Sequence, residues 1–494
     1  MRILLVSPEY KDTFWSFKHA LPFIGAKAAF PPLGLLTIAG LMPKDWDIKL
    51  VDMNVCELKE TDILWADHVF ISSMIAQSDS LKEVIAKCVK LGATVSLGGP
   101  ILETEDSCRK FPGVSYYFLG EAENTLPQFF NDLEKGTASK IYCCKDFPDI
   151  TLSPMPRYDL INPNDYGSAA IQDSRGCPFL CTFCNVSVLN GRKWRCKNPD
   201  QFLKELDELY RIGFRGAVQI FSDNFVGNIS KTKILLQEII KWQKAHNYPF
   251  LFTVEAVVTI ADDPELMKLM VAAGIKKVFL GLETNDPDCL RECRKLQNLN
   301  RDMVLDCHKI MEHGLIPMSG FMVGFDSEKA DSFADNIIKF IQESGIVVAM
   351  VDIVQAQPGT VLYYFLKENN RLLGDVKSNT DWEPNFVPVM PIEILIKEYK
   401  RIVETINDPR RCYERILVFL KNYDITNRPI KKISLKEIRA FIRSVLQIGI
   451  LGDFRTRWYF WKTLFVALYK NPAAFVDVIT FQIYLYHLQK SKRC

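Results

Sequence analysis

The sequence lacks long hydrophobic runs and an excess of charge of either sign. No apolar stretch approaches the roughly eighteen uninterrupted residues that a membrane-spanning helix needs. The apolar run that follows Met1 stops at Pro8, which is too short for a secretory signal peptide. The formal net charge is +2, so charge gives no reason to expect a nucleic-acid partner. We therefore expect a cytoplasmic protein that binds no nucleic acid.

Cysteine is present, but not at the density of a disulfide scaffold. The fourteen cysteines are scattered over 494 residues, a pattern typical of a reducing compartment. The sequence also lacks a Gly-x-Gly-x-x-Gly motif after its first predicted strand, a Gly-x4-Gly-Lys phosphate loop and a nucleophilic triad. A dinucleotide cofactor is therefore not favoured. Hydrophobic residues make up 48% of the chain, which is enough to fill the two or three domains that its length predicts.

The first ~150 residues alternate between short apolar runs and helical patterns. Runs that end in turn-forming residues are typical of buried parallel strands, so we predict a doubly wound, Rossmann-like α/β domain over residues 1–150. The predicted strands cover residues 2–7, 48–53, 69–74, 93–98 and 116–120. Such sheets bind ligands at the carboxyl ends of their strands. Small residues at these ends either admit a bulky ligand or serve only as turns, and both interpretations stay open.

A proline-rich joint over residues 153–164 separates this unit from a second alternating region. Six strand–helix units follow, and they predict a partial (β/α)6 barrel over residues 151–373. Its predicted strands cover residues 169–173, 217–222, 251–256, 277–282, 318–323 and 347–354. Residues 374–494 predict a mostly helical C-terminal domain, with helices over 392–407, 411–422, 435–446 and 457–488.

Three cysteines with Cys-x3-Cys-x2-Cys spacing follow the first predicted barrel strand: Cys177, Cys181 and Cys184. On a loop, this spacing lets three thiolates converge, and soft thiolates select iron–sulfur clusters, zinc or copper. A structural zinc site needs a fourth ligand nearby, for which Cys196 is the nearest candidate. Three ligands to a 4Fe-4S cluster leave one iron open for a substrate or cofactor. We predict such a cluster; the alternative is buried thiols without a metal.

Polar and small residues recur at the carboxyl ends of the later barrel strands. The cysteine loop projects onto the same rim, where barrel enzymes place their active sites. Any one of these residues alone would more often be a helix cap or a solvated loop residue. Their recurrence at one end of the barrel predicts a site formed by Asp223, Asn224, Glu255, Glu283, Gly320 and Gly324.

The cysteine spacing resembles that of the radical S-adenosylmethionine (SAM) superfamily. The resemblance includes Phe183, the aromatic residue before the third cysteine, and the segments around Glu283 and Gly320. It implies that the open iron chelates SAM, which is then cleaved to a 5′-deoxyadenosyl radical. It also implies an electron donor such as flavodoxin or ferredoxin. The residues implied to bind SAM are Phe183, Asp223, Asn224, Glu255, Glu283, Gly320 and Gly324.

A doubly wound domain ahead of such a barrel resembles the cobalamin-dependent branch of that superfamily. The matching segments are 30–36, 97–100 and 119–123. They imply a cobalamin site formed by Pro8, Leu33, Gly34, Gly98, Gly99, Pro100, Gly120 and Glu121. The Asp-x-His-x-x-Gly motif, which supplies a lower axial histidine in other cobalamin proteins, is missing, so the lower cobalt ligand stays open.

Segments 17–22 and 223–228, together with the helical extension, resemble the hopanoid C-2 methylase group. This resemblance implies a C-methyltransferase that acts on an unactivated carbon of a hopanoid-like or other apolar lipid substrate. No residue is assigned as catalytic. One alternative uses the same cofactors to close a ring or couple two carbons. The others are an iron–sulfur electron carrier and a tRNA methylthiotransferase.

The stretch from Arg455 to Lys470 is aromatic and basic. This composition fits a helix at a membrane surface, which would suit a lipid-modifying enzyme at the inner face of the membrane. It also fits aromatic side chains that pack onto the barrel as ordinary core, and both interpretations stay open.

Two other cysteine pairs are less informative. Cys143 and Cys144 are adjacent, and Cys289 and Cys293 share one helical face. Either pair serves an auxiliary cluster or thiol chemistry, or its cysteines are incidental.

Overall fold

A computed structural model of the chain describes residues 1–144, 146–374, 376, 382–426, 428 and 434–491. Its two large sheets each contain six strands, and all strand pairs within them are parallel. The predicted α/β class is confirmed. The predicted domain boundaries after residues 150 and 373 stay predictions.

The first sheet has the strand order β2-β1-β3-β4-β5-β6. Successive residues of β1 pack on opposite faces, with Ile3 and Leu5 in one core and Leu4 and Val6 in another. Helices therefore cover both faces, as the doubly wound prediction requires. The strands are β1 (Arg2–Ser7), β2 (Asp47–Asp52), β3 (His68–Ser72), β4 (Val95–Gly98), β5 (Tyr116–Leu119) and β6 (Ile141–Cys143). The helices are α1 (Leu21–Ile24), α2 (Leu33–Leu41), α3 (Glu60–Trp65), α4 (Ser78–Lys90), α5 (Glu105–Cys108) and α6 (Ala122–Glu134).

The second sheet curves into the predicted partial barrel, with the order β7-β10-β11-β12-β13-β14. A short antiparallel pair, β8 and β9, lies outside it. The strands are β7 (Ala169–Gln172), β8 (Ser174–Arg175), β9 (Arg195–Cys196), β10 (Gly216–Phe221), β11 (Phe250–Ala256), β12 (Ile275–Glu283), β13 (Ile316–Val323) and β14 (Ala349–Ile353). The helices are α7 (Val186–Leu189), α8 (Pro199–Arg211), α9 (Ile229–Ala245), α10 (Pro264–Ala272), α11 (Pro287–Glu292), α12 (Met303–Glu312), α13 (Phe333–Ser344) and α14 (Val361–Glu368).

The C-terminal region is helical, as predicted, but its last helix is not continuous. The predicted helix over 457–488 is wrong: α18 ends at Lys470 and α19 begins at Phe475. Pro472 lies between them and has no backbone N–H to continue the first helix. A π-helical turn (Val445–Ile450) precedes α18. The helices are α15 (Ile392–Ile406), α16 (Pro409–Asn422), α17 (Leu435–Ser444), α18 (Phe454–Lys470) and α19 (Phe475–Ser491).

The loop between β1 and α2 leaves the first sheet and joins all three regions. The Phe14 carbonyl oxygen lies 2.9 Å from His487 Nε2 of α19. The Phe17 ring packs 5.4 Å from the ring of Tyr484 in the same helix. The Trp15 ring lies 5.6 Å from that of Phe279, a residue of barrel strand β12. The first and last segments of the chain therefore share a hydrophobic core with the barrel.

Within the described residues, no helix combines the length and apolarity that crossing a membrane demands.

Candidate active site

The three predicted cluster ligands lie on the loop that β8 and β9 close. Asp223, which follows β10, holds the base of this loop. Its carboxylate accepts a hydrogen bond of 2.6 Å from the Gly176 N–H and one of 3.0 Å from Asn190 Nδ2. At the far side, the Thr182 N–H donates to the Cys293 carbonyl at 2.9 Å. Asp223, predicted to bind SAM, thus shapes the cysteine loop.

Cys177, Cys181 and Cys184 are half-buried, and their thiols act on one another electrostatically. Burial raises the pKa of all three, that of Cys184 to about 12, and the charge of Lys295 opposes the rise in each case. Three soft donors around one buried cation fit an anionic iron–sulfur cluster. Among the described residues, no group of three or more His, Cys, Asp or Glu is arranged to hold a single metal ion.

Gly176 has a backbone conformation that the cysteine loop needs. Its φ is +89°, and a Cβ there would press against the Lys193 carbonyl oxygen. We expect Gly176→Ala to lose cluster incorporation, because the added strain of about 1–2 kcal/mol and the clash both displace the neighbouring Cys177. Iron content and visible absorbance after anaerobic reconstitution measure this. Gly213→Ala is the matched control: its φ is +86°, but a Cβ there meets nothing within 4 Å. Equal iron content in the two variants would contradict the prediction.

Barrel strands β11 to β14 present alternate residues to the helices and to the interior. Phe252 and Val254 of β11, for example, pack outward in the core that the strands share with the helices. Their neighbours on each strand therefore face the barrel interior. By this alternation the interior set comprises Glu255, Phe279, Glu283, Gly320, Met322, Met350 and Asp352.

Glu283 forms a buried ion pair with Lys295, a residue that the sequence analysis missed. Lys295 Nζ donates to Glu283 Oε1 at 2.5 Å, and both side chains are almost fully buried. Glu283 has a φ of +63°, which is uncommon for a residue with a side chain and points to a functional constraint. Burial opposes the charge of Lys295, but Glu283 and the cysteines keep its pKa above the ordinary value. The Lys295–Glu283 pair therefore lies near the three cysteines, with Lys295 protonated.

Two further interior carboxyl groups hold their protons unusually tightly. Burial raises the pKa of Glu255 to about 7, and the nearby Asp223 adds to the rise. Burial likewise raises the pKa of Asp352 on β14, and the Trp15 indole opposes the rise. Asp352 Oδ1 has no hydrogen-bond partner among the described residues. Asp352 was also missed, because no motif surrounds it.

The remaining predicted SAM residues lie around the same rim. The Phe183 ring packs 6.5 Å from Phe325, next to Gly324. Gly324 has a φ of +101°, and its N–H donates to Glu328 Oε2 at 2.6 Å. Gly320 leaves room beside the Phe279 ring, to which a Cβ would approach within 3.5 Å. Asn224 is buried and lines a cavity of about 140 Å³ with Pro178 and Phe179 of the cysteine loop.

The predicted cobalamin residues lie along the carboxyl edge of the first sheet or open α2 beside it. Gly99 has a φ of +95°, and a Cβ there would lie 2.7 Å from Ser72 Oγ at the end of β3. Gly120 has a φ of +85°, and a Cβ there would lie 3.0 Å from the Cys144 carbonyl oxygen. Glycine therefore gives a close approach of backbone segments at both strand ends. The residues of this edge and of the start of α2 are Pro8, Leu33, Gly34, Gly98, Gly99, Pro100, Gly120 and Glu121.

Glu121 does not face open space: it joins the first domain to the cysteine loop. Arg175 of β8 bonds to Glu121 and forms two bonds of 2.9 and 3.0 Å to Glu123. Arg195 of β9 donates to the two oxygens of Glu121 at 2.5 and 3.1 Å. All four side chains are largely buried. We name these four residues the interdomain clamp. A further bond of 3.1 Å joins Asn185, just after Cys184, to Glu103.

The other cysteine pairs border this site: Phe183 packs against the hydrophobic cluster that holds Cys289 and Cys293, and Gly120 approaches Cys144. Cys289 and Cys293 are buried in the core near Phe325, and burial raises the pKa of both thiols, most strongly that of Cys289. Cys143 is exposed and Cys144 is half-exposed at the end of β6.

Comparison with known proteins adds to this geometry. A family profile described as "Radical SAM superfamily" matches residues 171–339, and one described as a domain of unknown function matches residues 360–493. An uncharacterized methyltransferase of Synechocystis is 40% identical, over 97% of this chain and 90% of that protein. The hopanoid C-2 methylase of Rhodopseudomonas palustris is 31% identical, over 93% and 88%. A solved structure of the cobalamin-dependent SAM radical enzyme OxsB superposes with a TM-score of 0.63 at 13% identity, over 100% of this chain and 80% of OxsB, and supports the fold.

Proposed function

The chain belongs to the radical SAM superfamily, among methyltransferases related to the hopanoid C-2 methylase, and on this premise we propose that it is a cobalamin-dependent C-methyltransferase. Membership implies SAM and an iron–sulfur cluster. The observation that carries the proposal is the interdomain clamp, because it sets the carboxyl edge of the first sheet against the loop of Cys177, Cys181 and Cys184. The two proposed cofactor sites would therefore lie next to each other.

The cysteine loop with the barrel rim and the edge of the first sheet suit different cofactors. We propose that Cys177, Cys181 and Cys184 hold a 4Fe-4S cluster, and that the rim from Phe183 to Gly324 holds SAM. The edge with Gly98, Gly99 and Gly120 would hold cobalamin, because doubly wound sheets bind ligands at the carboxyl ends of their strands. When bound, these groups supply a hydrogen-abstracting radical and a transferable methyl group.

The chain's own residues orient and shield these groups. Lys295, which already pairs with Glu283, would offset part of the negative charge that a thiolate-bound cluster brings into a buried site. Phe279, Met322 and Met350 line the barrel interior and exclude the water that would quench a radical. Asp352, with one oxygen unpaired, is available to a polar group on an otherwise apolar substrate.

For the substrate, we propose an unactivated carbon of an apolar, hopanoid-like lipid. The similarity to the hopanoid C-2 methylase over nearly the whole chain supports this substrate class. The apolar members of the interior set, Phe279, Met322 and Met350, are compatible with such a substrate. We place the enzyme in the cytoplasm with a flavodoxin or ferredoxin as electron donor.

The test incubates the reconstituted protein anaerobically with cobalamin, methyl-labelled SAM, reduced flavodoxin and a bacterial lipid extract. We expect one lipid to gain one labelled methylene unit of mass, and omission of cobalamin to abolish the gain. Cys184→Ala serves as the inactive control. A product that loses hydrogen without gaining mass would instead show ring closure. A protein that cleaves SAM but binds no cobalamin would overturn the methyltransferase proposal.

A further inference from the structure

The helices α17 and α18 expose an unusual number of large apolar side chains to solvent. Soluble surfaces carry such residues singly, whereas extended patches mark docking sites. Here twelve occur within one stretch, which we name the apolar face: Leu435, Ile438, Ile442, Leu446, Ile450, Leu451, Phe454, Trp458, Trp461, Phe465, Leu468 and Tyr469.

The apolar face follows the helical repeat. On α18 the exposed residues recur at steps of four and three, from Phe454 through Trp458 to Leu468. The opposite side of α18, with Phe460 and Leu464, is buried in the domain core. The helix therefore has two apolar sides, of which the core uses only one. Packing of the domain core does not account for the exposed apolar side of α18.

The two apolar rows belong to one hairpin. The Trp461 indole N–H on α18 donates to the Gly449 carbonyl of the preceding π-helical turn at 3.0 Å. The turn between the helices is itself apolar and exposed, with Leu451 78% and Phe454 76% accessible. The rows from α17 and α18 therefore meet at an apolar tip.

A basic rim accompanies the apolar face. From residue 435 to 470 the chain has seven Lys or Arg and two carboxylates. Both carboxylates form hydrogen bonds at the start of a helix. Glu437 caps α17 together with Ser434, and Asp453 accepts hydrogen bonds from the first backbone N–H groups of α18. All seven basic residues are exposed: Lys436, Arg439, Arg443, Arg455, Arg457, Lys462 and Lys470. Arg455 also pairs with Asp408 at 2.7 Å, and Arg443 donates to the Pro22 carbonyl, which leaves five basic residues for the rim. Apolar and aromatic side chains with a rim of positive charge match the interface of an anionic bilayer.

We propose that the hairpin of α17 and α18 docks the protein onto an anionic membrane surface, with the apolar face inserted among the lipids. A second copy of the chain fits less well, because a symmetric contact would bring two basic rims together. The purpose of docking, access to a membrane lipid, rests on the proposed function, whereas the binding itself does not.

The experiment measures co-sedimentation of the reconstituted full-length protein with vesicles of phosphatidylglycerol and phosphatidylcholine, and with vesicles of phosphatidylcholine alone. We expect binding to the anionic vesicles that weakens at high salt. The double variant Trp458→Ser/Phe465→Ser should bind at least about tenfold more weakly, because two aromatic side chains no longer enter the bilayer. The matched control is Ile234→Ser/Leu305→Ser, two residues of α9 and α12 whose exposure, 54% and 48%, approaches the 59% and 68% of the first pair.

Three outcomes would overturn the docking proposal. One is wild-type protein that binds neither vesicle, and another is equal loss of binding in the two double variants. The third is a protein that self-associates through Trp458 and Phe465 without binding vesicles, as sedimentation would show. SAM cleavage and cluster absorbance, measured on the same samples, test the proposed function separately from the docking proposal. If the protein cleaves SAM but binds no vesicles, only the docking proposal is overturned. If the protein binds vesicles but cleaves no SAM, only the proposed function is overturned.

Discussion

A chain in which Cys184 is replaced by alanine is expected to fold and to lose SAM cleavage down to the uncatalysed rate. Cys184 is one of the three proposed cluster ligands, and a cluster with only two remaining ligands does not persist. Iron and sulfide content, visible absorbance and 5′-deoxyadenosine formation measure the loss. Circular dichroism should stay unchanged, because the loop contributes little to the two sheets.

Cys196→Ala is the matched control for this experiment. Cys196 is half-buried on β9 and close in sequence to the cluster loop. In the short β8–β9 sheet its backbone lies opposite Ser174. We expect its replacement to leave the iron content and SAM cleavage near the wild-type values. Loss of the metal in both variants, with zinc as the bound ion, would instead support a four-ligand zinc site.

Replacing Arg175 by methionine is expected to lower the free energy of unfolding by about 3–5 kcal/mol. The change leaves Glu123 buried without its partner, although Arg195 still neutralises Glu121. Because the clamp joins the first domain to the cysteine loop, cobalamin affinity should fall together with stability. Urea unfolding and equilibrium dialysis with cobalamin measure the two effects.

Arg211→Met controls for the loss of an arginine as such. Arg211 pairs with Glu208 on the exposed side of α8, where such a pair contributes at most about 1 kcal/mol. A double-mutant cycle of Arg175→Met with Glu123→Gln should return part of the stability, because it removes the uncompensated charge. If Arg175→Met cost no more than Arg211→Met, the clamp would have no structural role.

The pH dependence gives the clamp a second readout. Burial opposes the ionised form of Glu123, but Arg175 outweighs burial and holds its pKa below the ordinary value. The stabilisation by the Glu123–Arg175 pair is therefore present in full above the ordinary glutamate pKa of about 4.3. It disappears as the pH falls through the lowered pKa of Glu123. Without Arg175, burial raises the pKa of Glu123, so the stability gap between wild type and Arg175→Met should begin to close above the ordinary pKa and be smallest below the lowered one.

Local patterns predicted most of the fold and the cluster loop. Strand β1 was predicted over its observed bounds because a buried strand is an apolar run that ends in turn-forming residues. The cysteine spacing is likewise contained within eight residues. Lys295 escaped prediction because its partner Glu283 lies on another segment, and nothing in the sequence near Lys295 indicates burial.

Local sequence patterns also do not predict that the apolar face is exposed. Trp458 and Phe465 are seven residues apart and the buried Phe460 and Leu464 are four apart, and both separations keep two residues on one side of a helix. Periodicity shows that both rows exist, but only tertiary packing decides which row the core takes. One row of residues 455–470 is therefore core, as the second interpretation expects, whereas the membrane contact of the exposed row stays a prediction.

The contact between the loop after β1 and helix α19 affects how the chain is made. Phe14 and His487 are separated by 473 positions, so a ribosome adding about 5–20 residues per second needs roughly 25–95 seconds to deliver the second after the first. During that interval Phe17 and Phe23 lack the tyrosines of α19 against which they finally pack. The nascent chain would therefore keep this aromatic loop open to chaperones until synthesis is nearly finished, and removal of α19 would leave it uncovered for the life of the protein.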